Sequence, residues 1–352
     1  MKRVFNLLLT LILCVGCLFS FTACEPPKKV DNDSIVNPRT ETIKVGIIEY
    51  APLNYMYRNV FKGFNTELAV MTFNALGYNV EFVLVEPEDE EEHIPNANDI
   101  YNALDEGVID CFWGGISDAV LFDETRADFS HAYLENSVCL VKNTFADTVE
   151  SLSDLENEKI AFGKNSAGQK YYAEKILGKV SGVSASSCER GQKSALHKVK
   201  SITESEEYAV VDTLMALYQK YNGEYGDIAL TDVDLEQKNY LRVVFKKTSG
   251  ENTLRDNVNA MLETFAKIKT DDKCIITTLA EKYKFGSYEK TVADFIITDF
   301  GGDNGVEGSG SGDGNGLTGA ENPPTSPENG NSNGNGNGNT SDFPSGWDNE
   351  IV

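Results

Sequence analysis

Between Thr42 and Phe300 the apolar positions repeat with two different periods, and the period switches again and again. Ile43 to Ile48 reads as a strand. Leu68, Met71, Thr72, Ala75 and Leu76 fall at helical spacing, and Gly77 suits the end of that helix. From Tyr78 to Val85 the chain alternates, with Val80, Phe82 and Leu84 on one face, which predicts a second strand. Ile100, Ala103 and Leu104 mark a short helix closed by Gly107, and Val108 to Ile116 reads as a buried strand. The order βαβαβ implies a mainly parallel sheet wrapped by helices.

A second set of elements follows. Lys159 to Gly163 reads as a strand and Gly168 to Leu177 as a helix. His197 to Ile202 predicts a strand. Glu206 to Tyr221 predicts a long helix, with Ala209, Val210, Thr213, Leu214, Leu217 and Tyr218 on one face. Gly226 to Thr231 and Leu241 to Phe245 predict strands. Two helices close the pattern, one burying Val258, Met261, Leu262 and Phe265, the other Ile275, Ile276, Leu279 and Tyr283.

The ends of the chain have a different character. Lys2 and Arg3 precede an almost wholly apolar run from Val4 to Phe21, and Thr22, Ala23 and Cys24 follow. A basic start, an apolar stretch and small residues describe a secretory signal over 1–23. The FTAC stretch resembles a bacterial lipobox, with Phe21 where Leu is usual, and implies lipidation of Cys24. Each buried CH₂ of a lipid chain contributes roughly 0.8 kcal/mol to membrane attachment, so several chains hold a soluble domain on a membrane. Residues 24–41 read as a polar tether. Residues 301–352, mostly Gly, Asn, Ser and Asp, are too poor in apolar surface to offset ordering entropy and are expected to be disordered.

Composition narrows the function classes. The net charge of −24 opposes association with nucleic acid or anionic lipid. Glu86 to Glu92 holds six acids in seven residues and reads as a solvated loop. Of the seven cysteines, Cys14 and Cys17 leave with the signal. Cys111, Cys139, Cys188 and Cys274 show neither metal-ligand spacing nor a disulfide framework. The three histidines, His93, His131 and His197, lie in unrelated segments. No Ser-His-Asp arrangement and no phosphate loop is apparent. No enzyme chemistry, cofactor or metal is expected.

Several segments, in order, resemble the family 3 bacterial solute-binding proteins, the polar amino-acid receptors. Glu49 to Pro52 (EYAP) resembles the family's first loop. Gly63 to Leu68 (GFNTEL) resembles its first helix start, Ala103 to Asp110 (ALDEGVID) its "aL.sGkiD", and Gly115 to Ser117 (GIS) its "GmT". Asp128 to Tyr133 (DFSHAY) resembles "dFSdpY", and SDL at Ser153 with IAF at Ile160 resembles the opening of a second lobe. Gly226 to Asp232 (GDIALTD) resembles "vDAvi.D", and Phe245 to Asn259 resembles "v.kgs..Lrd.vN". The resemblance implies an α/β, two-lobe periplasmic-binding-protein-like fold of type II, with mixed, mainly parallel sheets and a hinge between the lobes. Carried over, 42–137 with 246–300 form lobe one and 138–245 lobe two. The hinge segments fall near 136–141 and 241–245. The implied role is the extracellular solute-binding part of an ABC importer, anchored by lipid on the outer (or periplasmic) face of the bacterial membrane. Its partners would be a permease and a small polar ligand, an amino acid or related amine. Alternatives are a ligand-sensing surface lipoprotein or an enzyme on the same fold.

Ligands of open α/β sheets bind beyond the carboxyl ends of strands and at domain boundaries. Four residues after expected strands match family positions. Tyr50 offers a ring face for an ammonium. Ser117 offers a hydroxyl and an N–H. Ser166, with Gln169, has the spacing of a capping box and starts a helix whose free N–H groups suit an anion. Asp232, by resemblance, takes the ligand's α-amino group. The family's carboxylate-gripping arginine is missing, because Asp123 stands in its place. Arg126 is the nearest substitute, provided the loop brings it to the cleft. Trp113 is expected in the core.

Overall fold

The computed structural model describes residues 41–300, except 90, 201–205, 224, 236 and 288–289. The expected signal, the lipidation site Cys24, nearly all of the tether and the whole tail lie outside the described residues. In chain order, lobe one opens with β1 (Thr42–Ile47), a hairpin of β2 (Tyr55–Tyr57) and β3 (Val60–Lys62), and helix α1 (Phe64–Ala75). It continues with β4 (Asn79–Leu84), α2 (Ala97–Asp105), β5 (Cys111–Phe112), α3 (Asp118–Leu121) and β6 (Ala127–Phe129). A first crossing strand, β7 (Leu134–Glu135), leads to lobe two: β8 (Val138–Asn143), β9 (Lys159–Gly163), α4 (Ala167–Tyr171), β10 (Ser184–Cys188), α5 (Gln192–Lys200), β11 (Tyr208–Asp212), α6 (Thr213–Asn222) and β12 (Ile228–Leu230). The chain returns through β13 (Tyr240–Leu241) to β14 (Val244–Lys246), α7 (Thr253–Lys267), a hairpin of β15 (Lys269–Thr270) and β16 (Lys273–Cys274), and α8 (Ile275–Lys282).

Two five-stranded sheets result, ordered β4-β1-β5-β14-β6 and β10-β9-β11-β8-β12. Each is half parallel and half antiparallel. β1 runs parallel to β4 and β5, while β14 opposes β5 and β6. β9 runs parallel to β10 and β11, while β8 opposes β11 and β12. Ile43, Val45 and Ile47 point one way from β1 into the core, as the alternation requires. Helix α1 lays Phe64, Leu68 and Phe73 on the same core. Its start depends on Gly63, at φ +130°, where an added Cβ would sit 2.2 Å from the Leu53 carbonyl oxygen. Trp113 is buried between Phe73 and Tyr133, with ring centroids 6.1 and 5.8 Å away.

The structure revises three sequence-based assignments. The segment from His197 is helical: Ala195, Leu196 and Val199 are all buried on one side of α5, and the short alternation around Val199 is too brief to specify a strand. The expected helix from Glu206 is instead a strand followed by a helix. All five residues of β11 are buried, because it lies between β8 and β9. A strand buried on both faces has no period-two signature, and a short apolar run cannot be told from buried helix by periodicity. The strand expected over 108–116 shrinks to Cys111–Phe112. Gly114 lies over the Phe112 ring, and Gly115 adopts φ +91°, so the chain turns out of the sheet there.

The lobes are joined where β7 and β13 pair antiparallel, Glu135 opposite Tyr240. β8 lies wholly in the second sheet and β14 wholly in the first, so the chain passes between the sheets through the β7 and β13 segments. The C-terminal segment returns to this seam: Phe295 O accepts from Glu135 N at 2.7 Å, and Ile297 N donates to Tyr133 O at 3.1 Å.

Candidate functional site

A cavity of about 80 Å³ opens between the lobes. That is room for several waters or the head of a small ligand in this arrangement. Lobe one supplies the turn after β1 and the turn after β5. Asn54, fully buried, ties the two together by donating to the carbonyls of Trp113 and Gly114 at 3.1 Å each. Tyr50 and Ser117 thereby stand side by side at the carboxyl ends of adjacent strands, and both line the cavity. Lobe two supplies the ends of β9, β10 and β11.

The centre of the site is a carboxylate. Asp212 ends β11, is 3% exposed, and lines the cavity. Its Oδ2 accepts from Tyr50 Oη at 2.7 Å and from Gln192 Nε2 at 2.8 Å. Asn136, at the first crossing, donates to Tyr50 Oη at 3.1 Å and to Asp212 Oδ2 at 3.3 Å. Gln192 Oε1 accepts from the Asp212 backbone N–H at 2.6 Å, and Asn136 Oδ1 from Leu214 N at 3.0 Å. One oxygen of Asp212 thus gathers lobe one, the hinge and lobe two. The other oxygen, Oδ1, is buried without a hydrogen-bond partner, and so is Ser117 Oγ. Burial pushes the Asp212 carboxyl up to about 6, against the opposing pull of its bonds from Gln192 and Tyr50. Burial and the neighbouring Asp212 push the Tyr50 phenol well above its ordinary range, so it remains a neutral donor.

Ser166 also lines the cavity, but its hydroxyl is used locally. It donates to Gly163 O at 2.6 Å and accepts from Gln169 N at 3.2 Å. Gln169 Oε1 takes Asn165 N at 2.7 Å rather than the Ser166 N–H, so the cap is shifted by one residue. Asp232 does not reach the cavity. It is exposed beyond β12, because the strand at this end of lobe two that leads into the cleft is β11. Arg126 does not reach it either: it is exposed, lies over the Tyr101 ring at 4.9 Å, and donates to Asn98 Oδ1 at 3.4 Å. Asp123, in the position of the family's arginine, is exposed. The structure therefore unites Tyr50, Ser117 and Ser166 at the cavity, with Asp212 rather than Asp232 in its lining, and leaves Arg126 outside.

Sequence reasoning missed Asp212, Gln192 and Asn136. Asp212 had a signal: an apolar run, an acid, then a helical period. It also missed the contribution of the acidic loop. Glu92 lies 3.2 Å from Lys164 of lobe two, and Asn165 Nδ2 donates to Ile94 O at 2.9 Å and to Glu92 Oε2 at 3.3 Å. The connection between β4 and α2 is therefore strapped across the mouth of the cleft. Lys170 Nζ donates to Ala119 O at 2.9 Å as a further tie between the lobes.

The model of the bacterial extracellular solute-binding proteins, family 3, matches residues 43–286. This chain belongs to that family. No curated protein matches it. Solved structures of family 3 architecture do. An ancestral arginine-binding protein bound to arginine is 24% identical, with a TM-score of 0.54, covering 70% of this chain and all of that one. A cysteine-binding protein from Campylobacter jejuni is 14% identical with a TM-score of 0.57, covering 73% and 95%. An ABC uptake transporter substrate-binding protein from Streptococcus pneumoniae with bound histidine is 19% identical with a TM-score of 0.54, covering 69% and 92%. At these identities the likeness establishes the two-lobed fold. The family 3 member described here keeps that fold with its own set of polar groups in the cleft.

Proposed function

We propose that this chain is the ligand-capturing component of an ABC importer, held by lipid at Cys24 on the outer (or periplasmic) face of the cell membrane, and that it closes its two lobes on an amino acid or related amine. The observation that carries this reading is a cavity lined from opposite lobes by Asp212 and Ser117, each of which holds a buried polar atom, Oδ1 and Oγ, without a hydrogen-bond partner. A buried carboxylate oxygen without a donor is costly, and a ligand ammonium satisfies it with a charge-assisted bond. A ligand touching both walls favours the closed arrangement by its differential affinity, with β7 and β13 as the flexing joint. The relatives bound to arginine and histidine, and the cysteine-binding protein, support this ligand class. A ligand stabilises the form that binds it. A thermal-shift series with arginine, glutamine, histidine, cysteine and simple amines should therefore raise the melting temperature with at least one. The rise should disappear in Asp212→Asn. Flat melting curves throughout would defeat the assignment. Asp212 also has the burial and raised pKa of a general acid. Ligand recovered chemically unchanged after prolonged incubation excludes that second reading.

A further inference from the structure

The cations of the cleft all come from one side. Lys164, Arg190 and Lys193 line the cavity, and all three belong to lobe two; among the described residues lobe one contributes no basic side chain to it. Lys164 is engaged by Glu92 at 3.2 Å and Glu189 at 2.9 Å. Arg190 has the planar fork of donors that matches a carboxylate's two oxygens, which an ammonium lacks. Its backbone sits on a tight, well-supported turn. Gly191 N donates to Cys188 O at 3.0 Å, as does Lys164 N at 3.0 Å, and Gly191 adopts φ +81°. The turn packs so closely on β9 that a Cβ on Gly163 would lie 2.4 Å from Gln192 N. Two residues beyond Arg190, the Gln192 side chain grips both the carboxylate and the backbone N–H of Asp212. Arginine and aspartate are thus mounted on one rigid support, and Asp212 presents an oxygen with no donor.

We infer that Arg190 is the specificity-determining residue that takes a carboxylate of the ligand, so that lobe two alone holds both charged ends of a zwitterion, the ammonium at Asp212 and the carboxylate at Arg190. This rests on the proposed capture of an amine-bearing solute. It differs from that reading in requiring a ligand carboxylate and in placing its grip on lobe two. Lobe one then acts as a neutral cover through Tyr50 and Ser117.

The test uses the purified full-length chain in mild detergent, with calorimetric titration of arginine, histidine, glutamine and glutamate. The matched decarboxylated amines agmatine, histamine and 4-aminobutanamide, which carry no carboxylate, are titrated beside arginine, histidine and glutamine. The wild type should bind at least one amino acid and bind its decarboxylated partner far more weakly. Arg190→Gln should weaken the amino acid roughly 10- to 100-fold, the range for losing a charge-assisted bond, and narrow its advantage over the amine. Arg190→Lys should fall between. The exposed position of Arg190 means that ligand-free melting should be unchanged in both variants. Weakening for all four amino acids would locate the α-carboxylate at Arg190; weakening for glutamate alone would locate its side-chain carboxylate there. An amino acid that binds Arg190→Gln as tightly as the wild type overturns the inference and leaves the proposed function standing. A wild type that prefers the amines does the same. A wild type that binds nothing in the series overturns both.

Discussion

A carboxylate at the end of a central strand, deprived of water and short of one donor, sets the behaviour of the site. With its carboxyl raised to about 6 by burial, Asp212 binds its proton more tightly folded than unfolded. Below about pH 4 it is protonated in both states and costs nothing. As pH rises from about 4 to about 6 the unfolded chain gives up this proton while the folded form keeps it, and the ligand-free protein loses about 3 kcal/mol relative to its acidic state. Asp212→Asn should remove this slope. Denaturant unfolding at pH 7 should show the variant more stable than the wild type, and the difference should vanish near pH 4. Affinity for a cationic ligand should run the opposite way, falling as pH drops through about 6, because protonation removes the charge the ammonium needs. A pH-independent affinity would show that the ammonium lies elsewhere.

Among the elements, the loops between strands and helices divide into those that specify the backbone and those that tie the lobes. The turn at Gly63 belongs to the first kind. Gly63→Ala must fit a Cβ 2.2 Å from Leu53 O at a positive φ, so destabilisation by more than about 1 kcal/mol is expected from chemical denaturation, without any change in which ligand binds. The acidic loop belongs to the second kind. Glu92 and Lys164 are both partly exposed, at 22% and 28%, so solvent screens their pair and it adds little to folding stability. Glu92→Gln should therefore leave folding intact while shifting the lobes toward separation, seen as a faster ligand release rate. An unaltered release rate would show that the strap is ornamental to closure. At this scale the sequence was only partly legible. β1, β4 and α1 declared themselves because their apolar positions recur at the strand or helix period against more exposed neighbours. β11 did not, because both its faces are buried, and with it went the aspartate at its end. The Tyr50 and Ser117 turns were readable because they follow clearly patterned segments. Gln192 and Asn136 were not, since their roles exist only once two distant strands are brought together.

For the molecule as a whole, the resemblance carried the two-lobed architecture better than local periodicity did, because eight weak motifs in a fixed order constrain topology that no single window can. What it could not supply was the chemistry of a cleft that departs from the family's usual arginine. One consequence of the architecture follows from the seam between the lobes. The first crossing strand has its backbone groups shared between β13 on one side and Phe295 to Ile297 on the other, so the joint is a three-ply splice, and one ply comes from the segment that follows α8. Cutting the polypeptide just before Phe295 should leave both sheets formed but, because Phe295 is buried in the core, lower the melting temperature, and it leaves the splice two-ply. The empty protein would then sample a wider range of openings, measurable as a broadened distance distribution between spin labels on the two halves. In that sense the short segment from Phe295 to Ile297 acts as a governor on how far the trap can gape.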